Sequence, residues 1–205
     1  MTLLQLNTSL FSSAGQSSQL ADRFVAGMKA AHPDVHVVVR DLAREPIPHL
    51  TAERFQAFLA KPEARSIEQQ AVVEASDALI AELQAADVIV IGLPMYNFGV
   101  PSQLKAYFDH VARAGSTFRY TEDGPVGLLT GKKAYVFATR GGLYAGTPRD
   151  SETAYVRQFL AFLGITDVEF VYAEGLAISD ASRQAALAKA ANAIARLTGE
   201  ERLAA

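Results

Sequence analysis

The stretch DVIVIGL, residues 87–93, decides the fold because nearly every residue in it is apolar. A strand of this kind is covered on both faces, as in a parallel sheet. On either side of it, apolar residues follow a helical period over residues 67–85 and 103–113, and Ser102 is predicted to cap the second helix. The stretch therefore predicts a buried strand between two helices.

The same alternation of strand and helix runs along the whole chain. Further helices are predicted over residues 17–31, 151–163 and 181–197, with a short one over residues 52–60. The five predicted strands are Leu3–Thr8, Val35–Arg40, Asp87–Leu93, Lys133–Thr139 and Asp167–Ala173. We therefore expect one α/β domain over residues 1–205, a doubly wound parallel sheet with helices on both faces.

The composition of the 205-residue chain excludes several kinds of function. There is no cysteine, so disulfides, thiolate catalysis, iron–sulfur clusters and cysteine-based zinc sites are excluded, and redox chemistry needs a bound cofactor. The net charge is −3 and no basic stripe is present, which argues against nucleic acid or an anionic membrane as partner. The four histidines have no metal-ligand spacing, so we expect no metal site.

The start of the chain and its hydropathy indicate a compartment. The opening MTLLQLNTSLFSS has only a short apolar run and no basic segment, which makes a poor secretory signal. No stretch approaches the ~20 apolar residues that span a bilayer. We expect a cytoplasmic protein.

Two segments depart from the alternation. Residues 41–66 are polar, contain three prolines and exceed the usual length of a connection, which indicates a functional flap or a dimer contact. Residues 114–131 are rich in glycine and read as a hairpin-like excursion.

Ligands of doubly wound sheets sit outside the carboxyl ends of the strands, near the switch in strand order. The loops after the first, third and fourth strands are therefore the candidate site. In sequence they are the first loop, residues 9–16, the second loop, residues 94–101, and the third loop, residues 139–144. All three should open on the same edge of the sheet.

The first loop, SLFSSAGQ, runs into a helix start but lacks the G-x-G-x-x-G of a dinucleotide site, and the chain has no Walker loop. Hydroxyl groups and free amides at a helix N-terminus suit the terminal phosphate of a mononucleotide. The alternative is that Ser17 only caps the helix and Ser9 only forms a turn.

The second and third loops offer groups for a flat heterocycle. Two prolines stiffen the second loop, and Asn97 can donate and accept hydrogen bonds. Its alternative is a proline-rich turn whose aromatics pack on the next helix. In the third loop, paired glycines allow a close backbone approach, or simply form a turn. Arg140 could steer a phosphate or balance negative charge on the bound heterocycle, or it could be a surface arginine paired with a carboxylate.

The sequence resembles the FMN-dependent NADH-azoreductases, relatives of flavodoxin-like quinone reductases. The resemblance covers nearly the whole chain after about residue 67, and it is looser before that, where SLFSSAGQSSQL keeps the shape of the family's phosphate loop. The matching segments are PMYNF at 94–98, the stretch QLK…YFD…VARAG…TFRYTEDGP at 103–125, GLLTGKKA at 127–134, TRGG at 139–142 and FLGITDVEFVYAEG at 162–175.

The resemblance implies the flavodoxin-like strand order 2-1-3-4-5, a non-covalent FMN, and NADH as electron donor. The cofactor-binding residues it implies are Ser9, Gly15, Gln16, Ser17, Met95, Tyr96, Asn97, Phe98, Thr139, Arg140, Gly141 and Gly142. It also implies a homodimer with active sites at the subunit interface. Candidate aromatic walls are Phe118, Tyr120, Tyr144 and Phe162.

The chain departs from the family at two positions where serine is frequent, Gly15 and Thr139. Thr139 keeps the hydroxyl group. Gly15 lacks a side-chain donor, so we expect it to contact the phosphate through its N–H group.

The function that the resemblance implies is a ping-pong two-electron reduction of quinones, with reductive cleavage of azo compounds to amines. Flavin N5 carries the chemistry, so no catalytic side chain is assigned. Candidate proton donors are His110, Tyr120 and Tyr144. The alternative is a flavodoxin-type electron carrier that binds FMN without NADH-dependent turnover, although such carriers tend to be shorter and more acidic. A second alternative is a flavin-free regulatory or structural module.

Overall fold

The computed structural model describes residues 1–199, which are built around a parallel sheet of five strands. These residues contain seven strands, which are β1 Thr2–Asn7, β2 His36–Asp41, β3 Val88–Pro94, β4 Phe118–Thr121, β5 Gly124–Gly127, β6 Lys133–Thr139 and β7 Asp167–Ala173. The main sheet has the order β2-β1-β3-β6-β7, and all its pairings are parallel. This confirms the flavodoxin-like order 2-1-3-4-5. Every residue of β3 is buried, as its apolar sequence predicts.

Six helices accompany the strands. They are α1 Gln16–Ala31, α2 Ala52–Leu59, α3 Ile67–Ala85, α4 Ser102–Val111, α5 Ser151–Phe162 and α6 Asp180–Thr198. Helices α1 and α6 pack on one face of the sheet around Phe24, and α3, α4 and α5 pack on the other around Phe108. The sheet is therefore doubly wound, as expected. The predicted domain, residues 1–205, includes six residues that lie outside those described.

The prediction that Ser102 caps α4 is wrong. The cap position is Pro101, whose carbonyl accepts the N–H of Lys105, and Ser102 is the first helical residue. The ring of Pro101 fixes its φ at −53°, which orients the chain for the helix without a side-chain cap.

The two excursions lie at different places on the sheet. Residues 41–66 form α2, which packs on α3, and leave Phe55 and Leu59 exposed. The hairpin β4–β5 follows α4 and precedes β6, so it lies at the amino ends of the strands. Its backbone touches the end of α5, where a Cβ on Gly127 would lie 2.0 Å from the nitrogen of Gly164. None of the helices within residues 1–199 is both long and apolar enough to cross a membrane.

Candidate functional site

The three predicted loops meet at the carboxyl edge of the sheet. The Tyr96 hydroxyl, in the second loop, lies 3.3 Å from Ser9 Oγ and accepts the N–H of Leu10 at 3.3 Å. The N–H of Met95 donates to the carbonyl of Thr139 at 3.0 Å, which ties the second loop to the third. The expectation that these loops share one edge is confirmed.

The start of α1 carries the polar groups that an anion requires. No side chain caps this helix, and among residues 1–199 the amides of Gln16, Ser17 and Ser18 have no acceptor. The hydroxyls of Ser17 and Ser18 are buried without a hydrogen-bond partner. The helix begins at Gln16 with Gly15 at the cap position, so the alternative that Ser17 is the cap is wrong. Free amides and buried hydroxyls at a helix N-terminus form a site for a phosphate.

Gly15 serves the first loop by leaving space. Its N–H donates to the carbonyl of Ser12 at 3.1 Å, so the expectation that this N–H is available to a phosphate is wrong. A Cβ at this position would lie 2.1 Å from Ser9 Oγ. The buried Ser9 hydroxyl accepts the N–H of Phe11 at 3.2 Å and reaches Tyr96. The side chain of Ser9 therefore occupies the space beside Gly15. Ser9 is also a turn residue, since its carbonyl accepts the N–H of Ser12.

The second loop contains a tight turn with two residues in the left-handed region. Tyr96 and Gly99 exchange backbone hydrogen bonds of 3.1 and 3.0 Å, while Asn97 has φ 51° and Phe98 has φ 62°. Asparagine tolerates this conformation, but a bulky aromatic residue rarely adopts it, and such strain clusters at functional sites. The Phe98 side chain is 58% exposed and meets the ring of Tyr144 edge-on at 5.6 Å. The turn thus presents an aromatic ring at the carboxyl edge.

A cavity of about 520 Å³ opens beside the second loop. Phe98 and Val100 line it from that loop, Tyr155 lines it from α5, and His49 lines it from the segment 41–66. Its volume and its aromatic lining are typical of sites for small cyclic molecules.

Arg140 does not lie where either sequence interpretation places it. Its side chain is completely buried, with Nη2 2.7 Å from Asp150, Nη1 3.2 Å from Glu174 and Nε 3.3 Å from Glu152. Its backbone N–H donates to the carbonyl of Ala173, and its own carbonyl accepts the N–H of Leu176. Pairing with carboxylates is confirmed, but a surface position is wrong. Both polar groups of its backbone are taken within the protein, so Arg140 offers none to a ligand.

The buried cluster around Arg140 contains more negative than positive groups. Glu152 is fully buried, and neither of its carboxylate oxygens makes a hydrogen bond. Burial raises the pKa of Glu152 to about 8, against the opposing effect of Arg140. Arg140 already pairs with Asp150 and Glu174, and the neutral form of Glu152 avoids a third buried negative charge.

The glycines of the third loop leave backbone donors at the sheet edge. The carbonyls of Gly141 and Gly142 accept amides from Ala177 and Gly175, but their own N–H groups have no acceptor within the described part of the chain. Tyr144 covers Gly142 so closely that a Cβ there would lie 2.6 Å from the tyrosine Oη. Thr139 ends β6 two residues before Gly141.

Three of the predicted aromatic walls lie away from this edge. The Phe118 ring is 4.4 Å from Phe162 and 5.3 Å from Tyr120, all at the hairpin. Helix α5 has 12 residues, and at 1.5 Å per residue its end at Phe162 lies about 16 Å from its start. These residues therefore do not line the site of their own chain, whereas Tyr144 does.

His110 is not placed to donate a proton at the site. Its Nδ1 lies 2.9 Å from the carbonyl of Ala106, and its Nε2 is buried without a partner. It lies near the far end of α4 and lines a separate cavity of about 320 Å³ beside Pro46 and Ile47. Burial lowers the pKa of His110, so its ring stays neutral at pH 7.

Sequence reasoning missed Ser18, Glu152 and the segment 173–177 that follows β7. Glu174 in this segment accepts the amides of Tyr144 and Ala145, both at 2.8 Å. A signal was present, since Glu174 and Gly175 directly follow a predicted strand at the same sheet edge.

The fold and the site together define a class. A doubly wound sheet with a hydroxyl-rich helix start at its switch point is characteristic of flavodoxin-like proteins. The family described as "Flavodoxin-like fold" matches residues 1–197. The FMN-dependent NADH:quinone oxidoreductase of Cellvibrio japonicus is 56% identical over 188 residues, which cover 92% of this chain and 94% of the relative. The FMN-dependent NADH:quinone oxidoreductase 6 of Burkholderia lata is 56% identical over 194 residues, 95% of this chain and 98% of the relative.

Solved structures agree with these relatives. A crystal structure of an FMN-dependent NADH-azoreductase from Bacillus anthracis in complex with FMN superposes with a TM-score of 0.85 at 27% identity, covering 97% of this chain and 100% of that one. The azoreductase AzrA superposes with a TM-score of 0.89 at 29% identity, covering 98% and 100%. The chain belongs to the flavodoxin-like family that includes the FMN-dependent NADH:quinone oxidoreductases.

Proposed function

We propose that this protein is an FMN-dependent NADH:quinone oxidoreductase that also cleaves azo compounds to amines. One observation carries the proposal. The unpaired amides of Gln16, Ser17 and Ser18 and the buried Ser17 hydroxyl lie at the same edge as the second and third loops. The names of the two relatives at 56% identity, and the FMN bound to the azoreductase of similar structure, support the same function.

The residues present fit FMN. The start of α1 would hold the phosphate, with Ser9 and Gly15 shaping the first loop. Residues 95–98 would line the ring and its ribityl chain, and Gly141 and Gly142 would donate their amides to the ring edge. FMN supplies the two-electron chemistry when bound, and the protein binds and orients it. Arg140 takes no part in these contacts, because its groups are engaged inside the protein.

Donor and acceptor use one position in turn, which predicts ping-pong kinetics. Phe98 and Tyr144 stand at this position, where their rings meet edge-on at 5.6 Å. The cavity beside the second loop gives room for a quinone ring. Tyr144 is the candidate proton donor that lies at the carboxyl edge, next to Gly142.

We further propose that the protein forms a homodimer and that the second subunit completes this site. Tyr120 is 74% exposed on the hairpin, and Val126 and Leu128 beside it are exposed as well. On segment 41–66, Phe55 and Leu59 are also exposed. Exposed apolar side chains on both excursions fit an interface. Because the hairpin lies at the amino edge of its own sheet, Tyr120 and Phe162 would wall the site of the other subunit. NADH is a cytoplasmic metabolite, so we also propose a cytoplasmic location.

An anaerobic titration of the FMN-loaded protein with NADH tests the function. We expect the flavin absorbance band to bleach, and to recover when a quinone or an azo dye is added. Retention of FMN without bleaching would instead identify an electron carrier of the flavodoxin type. A protein that cannot be loaded with FMN would contradict the proposal altogether.

A further inference from the structure

The segment that follows β7 fixes the carbonyl groups of the third loop. The amides of Leu176, Ala177 and Gly175 donate in turn to the carbonyls of Arg140, Gly141 and Gly142, at 3.1, 3.0 and 2.8 Å. These bonds hold the loop against residues 173–177 along three successive peptide units. The direction of the loop is therefore set by its contacts with a neighbouring segment.

A single carboxylate oxygen fixes the amides of residues 144 and 145. Glu174 Oε1 accepts the N–H groups of Tyr144 and Ala145, each at 2.8 Å. Hydrogen bonds from amides to an ionised carboxylate are stronger than those between neutral groups. The two amides therefore share one acceptor, which ties this part of the chain to Glu174.

Arg140 holds that carboxylate in place from within the protein. Its Nη1 donates to the same Oε1 at 3.2 Å, while its Nη2 donates to Asp150 at 2.7 Å. Asp150 in turn accepts the N–H of Thr153 and caps α5. Glu174 is thus fixed between the third loop and the start of a helix, and its side chain is 14% exposed.

These contacts leave three amides of the loop without an acceptor among residues 1–199, namely those of Leu143 and of the paired glycines. In the paired glycines, Gly141 and Gly142, the carbonyls accept amides, while the two N–H groups have no acceptor in the described part of the chain. We infer that Glu174 is a positioning residue for the flavin site, because its carboxylate holds the third loop in the shape that leaves these two amides free for the cofactor. This inference rests on the proposed function.

The consequence is electrostatic as well as geometric. Fixed N–H dipoles beside a ring stabilise negative charge that develops on it, and they do so best when they need not reorganise. A loop that loses its Glu174 anchor keeps its glycines but no longer holds their amides in position. FMN binding should weaken, and the reduced form should lose more stabilisation than the oxidised form.

The test compares Glu174→Gln with the wild type. FMN is titrated into the apoprotein and followed by flavin fluorescence, and the midpoint potential of bound FMN is measured separately. We expect the dissociation constant to rise at least tenfold. If the variant weakens the binding of reduced FMN tenfold more than the binding of oxidised FMN, the two-electron potential falls by about 30 mV. Hydrogen exchange at residues 144 and 145 should become faster. Glu169→Gln is the matched control, because Glu169 is a β7 residue whose side chain is 42% exposed and lies 3.5 Å from Lys133.

The outcomes separate this inference from the proposed function. A wild type that does not bind FMN contradicts the function. If the wild type binds FMN and Glu174→Gln has the same FMN affinity and midpoint potential, the inference is overturned and the proposed function stands. This holds even if the variant melts at a lower temperature. If Glu174→Gln does not fold, Glu174→Asp keeps the charge beside Arg140 but withdraws it by one methylene, and the same two measurements decide.

Discussion

At the scale of single residues, the first loop depends on the fit between Ser9 and Gly15. A Cβ on Gly15 would meet both Oγ and Cβ of Ser9, at 2.1 and 2.5 Å. We expect Gly15→Ser to displace the loop, and overpacking of this kind costs roughly 1–3 kcal/mol. The FMN dissociation constant, measured by fluorescence, should rise about tenfold or more.

The neighbouring Ser13 provides the control for this prediction. It is exposed in the same loop, so Ser13→Ala should leave the FMN affinity unchanged. The double variant Ser9→Gly/Gly15→Ser removes the overlap and should recover part of the affinity. A Gly15→Ser protein that binds FMN like the wild type would show that the loop adapts to the extra atoms.

Glu152 predicts a pH dependence of stability. Its pKa is raised by burial from the ordinary 4.5 to about 8. The folded state therefore binds the proton more tightly than the unfolded state, and the stabilisation present below pH 4.5 is lost as the pH rises through 8. The slope between these values is at most about 1.4 kcal/mol per pH unit.

Urea unfolding of Glu152→Gln at several pH values checks this prediction. Glutamine resembles the neutral acid, so the variant should be about as stable as the wild type at pH 5. At pH 9 it should be the more stable of the two, because the wild type then buries a charge. Glu53→Gln, a change on the exposed side of α2, should follow the wild type throughout. A constant difference across the pH range would contradict the assignment to Glu152.

Single-residue roles were the hardest to predict from the sequence. Ser17 and the paired glycines could be placed, because a helix start and a strand end are local features. Arg140 could not, because its burial depends on Asp150, Glu152 and Glu174, which the fold brings together from distant positions. The space that Ser9 takes beside Gly15 likewise depends on the path of the loop.

At the scale of elements, the start of α3 carries a complete capping box. Ser66 Oγ accepts the N–H of Gln69 at 3.2 Å, and Gln69 Oε1 accepts the N–H of Ser66 at 3.1 Å. We expect Ser66→Ala to lower the free energy of unfolding by about 1 kcal/mol. The melting temperature should then fall by roughly 2–4 °C.

Calorimetry of a second α3 variant checks the interpretation of this change. Glu74 is exposed on the same helix and away from its ends, so Glu74→Ala should stay within about 0.5 kcal/mol of the wild type. Neither variant should change the FMN dissociation constant, because the start of α3 is not part of the site. Equal destabilisation by both variants would contradict a specific role of the cap.

Most elements could be predicted because their signals are local. The bounds of α3, β6 and β7 agree with the sequence pattern, since apolar periodicity and strand composition are strong there. The cap of α4 could not be predicted, because Ser102 and Pro101 both suit a helix start and only the backbone path distinguishes them. The hairpin was recognised, but its position relative to the site required the fold.

At the scale of the whole molecule, the proposed dimer predicts complementation between subunits. Gly15→Ser impairs the loops of a site, and Tyr120→Ala removes the aromatic wall that a subunit gives to its partner. Each homodimer should be weakly active in NADH-dependent quinone reduction. When the two variants are unfolded and refolded together, half of the dimers contain one subunit of each kind. Each mixed dimer has one intact site out of two. About a quarter of wild-type activity should therefore return.

A mixture of Gly15→Ser with Gly142→Ala is the control. Both changes affect loops of the same subunit, so every site in the mixed dimer carries one of them and no activity should return. Recovery in both mixtures, or in neither, would contradict a site shared in this way.

Helix α5 has a consequence for how two such sites communicate. It starts beside Asp150 and Glu152, against Arg140 of its own carboxyl edge, and it ends at Phe162, where Gly164 lies against the hairpin backbone. No side chain separates Gly127 from Gly164, so the helix end cannot move without moving the hairpin. In the proposed dimer, this helix would link the third loop of one site to the hairpin that walls the other site. A third loop displaced by ligand would then shift the aromatic wall of the opposite site, so the shape of each site would depend on what the other holds.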